Sequence, residues 1–218
     1  MENLQTQMQA ITVEQTKLMF QYVGKQMINA KPLLTEIDSA IGDGDHGIGM
    51  ETGFKKALEN LEIKDPATIN DVFKTIGMSM ISSMGGASGV IFGTMFVGGL
   101  KNLEPTENLS TKVLAGLMAD ALQGVKTRGK AEIGDKTMID ALQPAVEALK
   151  QNEDAPLLKG LQKAEEKALE GVEKTKEYQA NFGRAKSLGE RAVGHQDAGA
   201  TSVWIIFRSM REWMELEA

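Results

Sequence analysis

The chain has 218 residues, sets 24 Lys and Arg against 30 Asp and Glu, and contains no cysteine. At this length one domain buries enough surface to fold without a covalent or metal staple. The absence of cysteine excludes disulfides, thiolate catalysis, zinc fingers and iron–sulfur clusters, and a net charge of −6 with both signs interspersed argues against a dedicated nucleic-acid binder.

Taken in order, residues 1 to 11 are polar, lack the basic start and apolar run of a signal peptide, and are expected to form a disordered lead-in. Val13, Leu18, Met19, Tyr22, Val23, Met27 and Ile28 then recur at helical spacing behind an N-cap at Thr12. Leu33, Leu34, Ile37 and Ile41 carry the period past Pro32 into a glycine-rich loop, Gly42 to Gly49, and Met50, Phe54, Ala57, Leu58 and Leu61 restart it. Asp65-Pro66 reads as a cap with a first-turn proline, opening a helix from about Ala67 to Ser83. Gly85-Gly86 breaks that helix, and another follows from about Ser88 to Leu100. The uncharged stretch Ile76 to Leu100 holds seven glycines, so it reads as a closely packed helix pair rather than a membrane span.

Leu109 to Val125 is amphipathic, and a polar loop spans Thr127 to Lys136. Helices are expected over Thr137 to Lys150, with a kink at Pro144, and over Pro156 to Gln179. A third glycine-containing loop, Phe182 to Gly199, leads to a last helix from Ala200 to about Glu217. Strand signals are thin and no significant sheet is expected, so the expectation is one all-α domain of about eight helices covering residues 1–218. With no membrane segment or signal peptide in view, a cytoplasmic location is expected.

Three loops carry chemistry. Asp38, Asp43, Asp45 and His46 fall within nine residues among glycines. Carboxylates this close repel unless a cation sits between them, and Mg²⁺ takes such oxygen ligands together with substrate phosphates. The competing reading is a solvated Asp/Gly turn. Gly85-Gly86-Ala87-Ser88-Gly89 leaves backbone N–H groups at a helix start, where an anion is favoured; close helix packing is the alternative. In the third loop Arg184 and Arg191 suit phosphate oxygens or are ordinary surface arginines, and Asp197 is placed to cap the last helix. Both histidines, His46 and His195, lie in these loops, which suggests one composite site.

The ordered set Asp38-x4-Asp43-Gly44-Asp45-His46-Gly47, Gly85-Gly86-Ala87-Ser88-Gly89, Arg128-Gly129-Lys130-Ala131, Gly134-Asp135-Lys136-Thr137-Met138 and Gly189-Glu190-Arg191-x-x-Gly194-His195-Gln196-Asp197 resembles the nucleotide-binding L subunit of bacterial dihydroxyacetone kinase. The resemblance spans about Leu34 to Ser202. It implies a barrel of eight antiparallel amphipathic helices with the nucleotide held by loops at one end. It puts two Mg²⁺ ions on Asp38, Asp43 and Asp45, and phosphate contacts on His46, Gly47, Ala87 and Ser88. Gly129 and Met138 fall at positions lining an adenine pocket, and Arg184, Asp197, Ala198 and Gly199 at further contacts with ADP or ATP. Gly49, Ala198 and Lys186-Ser187 depart from the residues frequent in the family.

The implied activity is phosphoryl transfer from the bound nucleotide to a keto-sugar on a separate K subunit. In the expected regime ADP stays bound and is recharged by a phosphohistidine subunit of the phosphoenolpyruvate phosphotransferase system. The alternatives are an exchanging ATP, a metal-dependent phosphohydrolase, and a nucleotide-sensing module that reports to a transcriptional regulator. No direct nucleic-acid or membrane partner is expected.

Overall fold

The computed structural model describes residues 8–217. Nine α-helices dominate the described residues: α1 (Val13–Asn29), α2 (Lys31–Ile41), α3 (His46–Ile63), α4 (Ile69–Ser83), α5 (Gly86–Val97), α6 (Thr111–Gly129), α7 (Ile139–Gln151), α8 (Leu157–Thr175) and α9 (Ala198–Glu217). Successive helices from α3 to α9 pack side by side, and α1 closes the ring against α9 and α3. Eight helices therefore alternate up and down around one core, while α2 packs at one end against α3 and α9. This is the expected all-α barrel.

The core is filled by large side chains rather than left as a channel. Phe20, Phe54, Phe73 and Phe96 meet in edge-on and tilted pairs with centroids 5.0 to 6.4 Å apart. Glycines let the wall helices touch: a Cβ on Gly77 would lie 2.8 Å from the Gly93 carbonyl, and a Cβ on Gly93 equally close to the Gly77 carbonyl. That close packing accounts for the glycine-rich stretch, and no helix of the described residues is long and apolar enough to cross a membrane.

Several boundaries differ from the sequence expectation. The chain enters through a three-residue strand β1 (Ala10–Thr12), paired antiparallel with β2 (Asn108–Ser110), so Ile11 sits opposite Leu109 and is fully buried. Residues 8–11 are thus described parts of the fold, with the Met8 carbonyl accepting the Leu157 N–H at 3.2 Å, whereas the rest of the expected disordered lead-in, residues 1–7, lies outside the described residues. Thr12 caps α1 as expected, through a capping box with Gln15. The cap of α4 is Thr68, in a capping box with Asp71, and not Asp65; Pro66 lies outside the helix. Helix α3 starts at His46, inside the expected loop, because the Asp38 carboxylate accepts the His46 backbone N–H at 3.2 Å. Helix α8 stops at Thr175, and α9 starts two residues early, at Ala198.

A candidate phosphotransfer site at one end of the ring

Helices α3, α5, α7 and α9 start at the same end of the ring, and the three glycine-rich loops lie there. Asp38, on the last turn of α2, and Asp43 and Asp45, in the loop that follows, place carboxylate oxygens within 4.8 Å of one another. Gly44, with φ +75°, lets the loop double back between the two aspartates. Burial, reinforced by the neighbouring Asp43 and Asp38 charges, holds the Asp45 carboxyl above its usual range. Three hard oxygen donors that resist sharing a space fit a divalent cation. One positive group already reaches them: Arg184 Nε lies 2.9 Å from Asp43 Oδ2, arriving from a 3₁₀ stretch (Arg184–Ala192) in the third loop.

His46 follows directly. Its Nε2 lies 2.8 Å from Ser202 Oγ on α9, and its ring stacks at a tilt on Phe92 of α5, with centroids 5.7 Å apart. Burial pushes the imidazole down to about 4, against the Asp38 charge and a hydrogen bond with the Ala198 backbone, so the ring is neutral at pH 7. Gly47 is buried hard on α2, where a Cβ would sit 2.4 Å from Thr35 Oγ1 and 2.5 Å from the Lys31 carbonyl. One α3 turn thus joins the aspartates to α5 and α9.

The start of α5 is open. Gly85 and Gly86 have φ of +69° and +60°, Ala87 and Ser88 are exposed, and no side chain caps the helix. Gly129, at the end of α6, faces Ile91 of α5, with 3.4 Å from a notional Cβ to the Ile91 side chain. Met138, at the start of α7, faces Gly199, whose notional Cβ would lie 3.5 Å from Met138 Cβ. Asp197 caps α9 by accepting the Ala200 N–H at 2.7 Å, with Ala198 buried beside it. Burial raises the Asp197 carboxyl to about 7, opposed by the Ala200 hydrogen bond and by Lys136 and helped by Asp140 and Asp38.

The two histidines part company. His46 joins the cluster, whereas His195 is exposed and contributes its backbone carbonyl to Lys136. Lys186 and Arg191 are exposed on the rim. Sequence reasoning gave no role to Ser202, Lys136 or Asp140. Asp140 is 3 % exposed and accepts the Gly134 and Thr137 N–H groups at 2.6 and 2.8 Å, fixing the loop before α7. A lysine and an aspartate two and six residues after Gly134 signal solvent by default; only the fold buries them.

Fold and site together define an all-helical domain with a carboxylate cluster and an open helix start at one end. Residues 40–212 match the DAK2 domain. The chain is 41% identical over 187 residues to the ADP-binding subunit DhaL of PEP-dependent dihydroxyacetone kinase 1 from Listeria innocua, covering 86% of this chain and 89% of that subunit. It is also 41% identical to the corresponding Escherichia coli subunit, with 81% and 85% covered. Among solved structures, the native dihydroxyacetone kinase of C. freundii superposes with a TM-score of 0.75 at 26% identity over 97% of this chain, which spans 36% of that longer one. The same kinase in complex with AMP-PNP and Mg²⁺ gives a TM-score of 0.72 at 25% identity. The chain belongs to the DAK2 family, within the group of DhaL subunits of dihydroxyacetone kinases, which are phosphotransferases.

Proposed function

We propose that this chain is the cytoplasmic, ADP- and Mg²⁺-binding subunit of a keto-sugar kinase of the dihydroxyacetone type, folded as a single nucleotide-binding domain. The observation that carries it is the placement of three carboxylates within 4.8 Å at the end of the ring where α5 starts uncapped. Asp38, Asp43 and Asp45 would hold two Mg²⁺ ions, which neutralise charge on a transferring phosphoryl group. The free amides at Ala87 and Ser88 receive phosphate oxygens. His46, kept neutral by burial and held by Ser202 on its Nε2 and by the Ala198 backbone, packs beside the aspartates without adding charge. Gly47 keeps the first turn of α3 against α2, so the aspartates and His46 hold their spacing. Arg184 exchanges its hold on Asp43 for a nucleotide phosphate, and Gly129, Met138 and Asp197-Ala198-Gly199 wall the adenine.

Phosphoryl leaves this site for a keto-sugar held by a separate K subunit. A phosphohistidine subunit of the phosphoenolpyruvate phosphotransferase system then recharges the retained ADP. The PEP-dependent Listeria innocua subunit, matched over 89% of its length at 41% identity, favours that regime over an exchanging ATP. The exposed rim residues Lys186 and Arg191 suit a transient polar docking surface. Native mass spectrometry of the purified protein is expected to show bound ADP, and transfer to dihydroxyacetone should require an added K subunit. Nucleotide-free protein that hydrolyses ATP without any acceptor subunit would make it a phosphohydrolase and overturn this reading.

A further inference from the structure

Lys136 is the one buried lysine among the described residues, 2 % exposed. A lysine is seldom hidden, because its ammonium must recover the hydration it gives up. This one does so on two backbone carbonyls: Nζ donates to Thr175 O, the last residue of α8, at 2.5 Å, and to His195 O in the loop before α9. The end of a helix, with its unpaired carbonyls and negative dipole end, is a natural seat for a cation. The backbone at Lys136 is left-handed, φ 58°, a conformation costly for any residue with a Cβ.

The connections are directional. Two residues after Lys136 comes Met138, and two after His195 comes Asp197, whose N–H donates to Thr175 Oγ1 at 2.9 Å. Met138 and Gly199 then face each other at contact distance. A second clip, Asn181 donating its backbone and side-chain N–H groups to Asp135 at 3.2 and 2.7 Å, joins the same two loops at the surface. Burial lowers the ammonium from its usual range, and the Asp197 and Asp140 charges oppose that loss.

We infer that Lys136 is a positioning residue for the nucleotide base: without touching the nucleotide, its ammonium sets the separation of Met138 from Asp197-Ala198-Gly199, and with it the affinity for adenine. The inference rests on the nucleotide reading above. It splits the site into a phosphate half, governed by the aspartates and α5, and a base half governed by Lys136.

The test compares Mg·ADP with Mg·pyrophosphate, which engages the phosphate half alone, by calorimetry on the full chain. Lys136→Met is expected to weaken ADP at least ~10-fold while pyrophosphate stays within about twofold, since a base wall out of place removes contacts that only the base makes. Lys136→Arg, which keeps the cation, should recover most of the ADP affinity. In the unsubstituted protein, Mg·ADP but not Mg·pyrophosphate should slow hydrogen exchange at the Asp197 amide, a measurement that holds even if the Met variant fails to fold. ADP binding unchanged in a folded Lys136→Met protein, parallel loss of both ligands, or equal amide protection by both would overturn the inference. Failure of the unsubstituted chain to bind Mg·ADP at all would instead remove the nucleotide reading.

Discussion

The two ends of the ring are built from the same helices but by different rules. At the far end α1, α4 and α6 begin under their own side chains, Thr12, Thr68 and Ser110. The β1–β2 pair and the Thr111 hydroxyl, donating to Ala155 O at 2.7 Å, fasten that end further. At the site end, α3 borrows a carboxylate from α2 for its first amide, α7 leans on the Thr137 hydroxyl, α9 on Asp197, and α5 has no side-chain acceptor. Every positive-φ residue among the described ones, seven glycines with Lys130 and Lys136, lies in the site-end loops. Of the far-end starts only α8, behind Pro156, lacks a side-chain cap, whereas at the site end the helix start at the proposed phosphate contacts has none.

That contrast can be broken from either side. The largest effect is expected at the carboxylates: Asp43→Asn or Asp45→Asn should lower phosphoryl transfer at least ~100-fold with helical circular dichroism unchanged, because charge stabilisation of the transferring group is lost. Near-normal transfer in both variants would detach the cluster from the chemistry. Ala87→Asp gives the first turn of α5 the acidic group that α4 has in Asp71. It should raise the melting temperature of the ligand-free protein slightly and weaken ADP binding by at least ~10-fold, since a fixed anion favours the helix start but repels phosphate. Movement of both readouts in the same direction would show that α5 is simply an uncapped helix.

A third test uses pH. Asp197 titrates at about 7 in the folded protein against an ordinary value of 3.8, so the folded state binds more protons between those limits. Stability should therefore fall as pH rises from about 4 to 7 and level off above, with a melting-temperature drop on the order of 10 °C that Asp197→Asn abolishes. An unchanged pH profile in that variant would mean that the carboxyl is not held protonated. The smallest effect belongs to the far end: Thr68→Ala should cost about 1 kcal/mol and roughly 2–4 °C in melting temperature, and leave ADP affinity unchanged.

Much of the fold is written locally. The apolar period and Thr12 announce α1, and Gly85-Gly86 marks the break between α4 and α5, because helix period and backbone freedom act within a few residues. Most of what escaped reading depends on distant partners. Strands β1 and β2 are three residues each and pair across nearly a hundred positions, too short to alternate visibly. One miss is local: Asp65-Pro66 has the form of a helix start, yet Thr68 wins because Asp71, three residues on, completes its box. At the site, the spacing of Asp38, Asp43 and Asp45 was legible because the last turn of α2 and the loop directly after it carry all three. The Arg184 contact with Asp43 and the burial of Lys136 were not, since each joins loops far apart in the chain.

The seam between α1 and α9 bears on how the molecule is assembled in time. Tyr22 hydroxyl donates to Glu212 at 3.3 Å, across 190 positions, so the ring shuts only when its first and last helices meet. Contacts of such separation are the slow ones in folding, whereas neighbouring helices along the chain can zip together early. Helix α9 also brings Gly199 to Met138 and Ser202 to His46. A refolding chain should therefore regain most of its far-ultraviolet signal before it regains affinity for nucleotide, making ligand capture a clock for the final closure event.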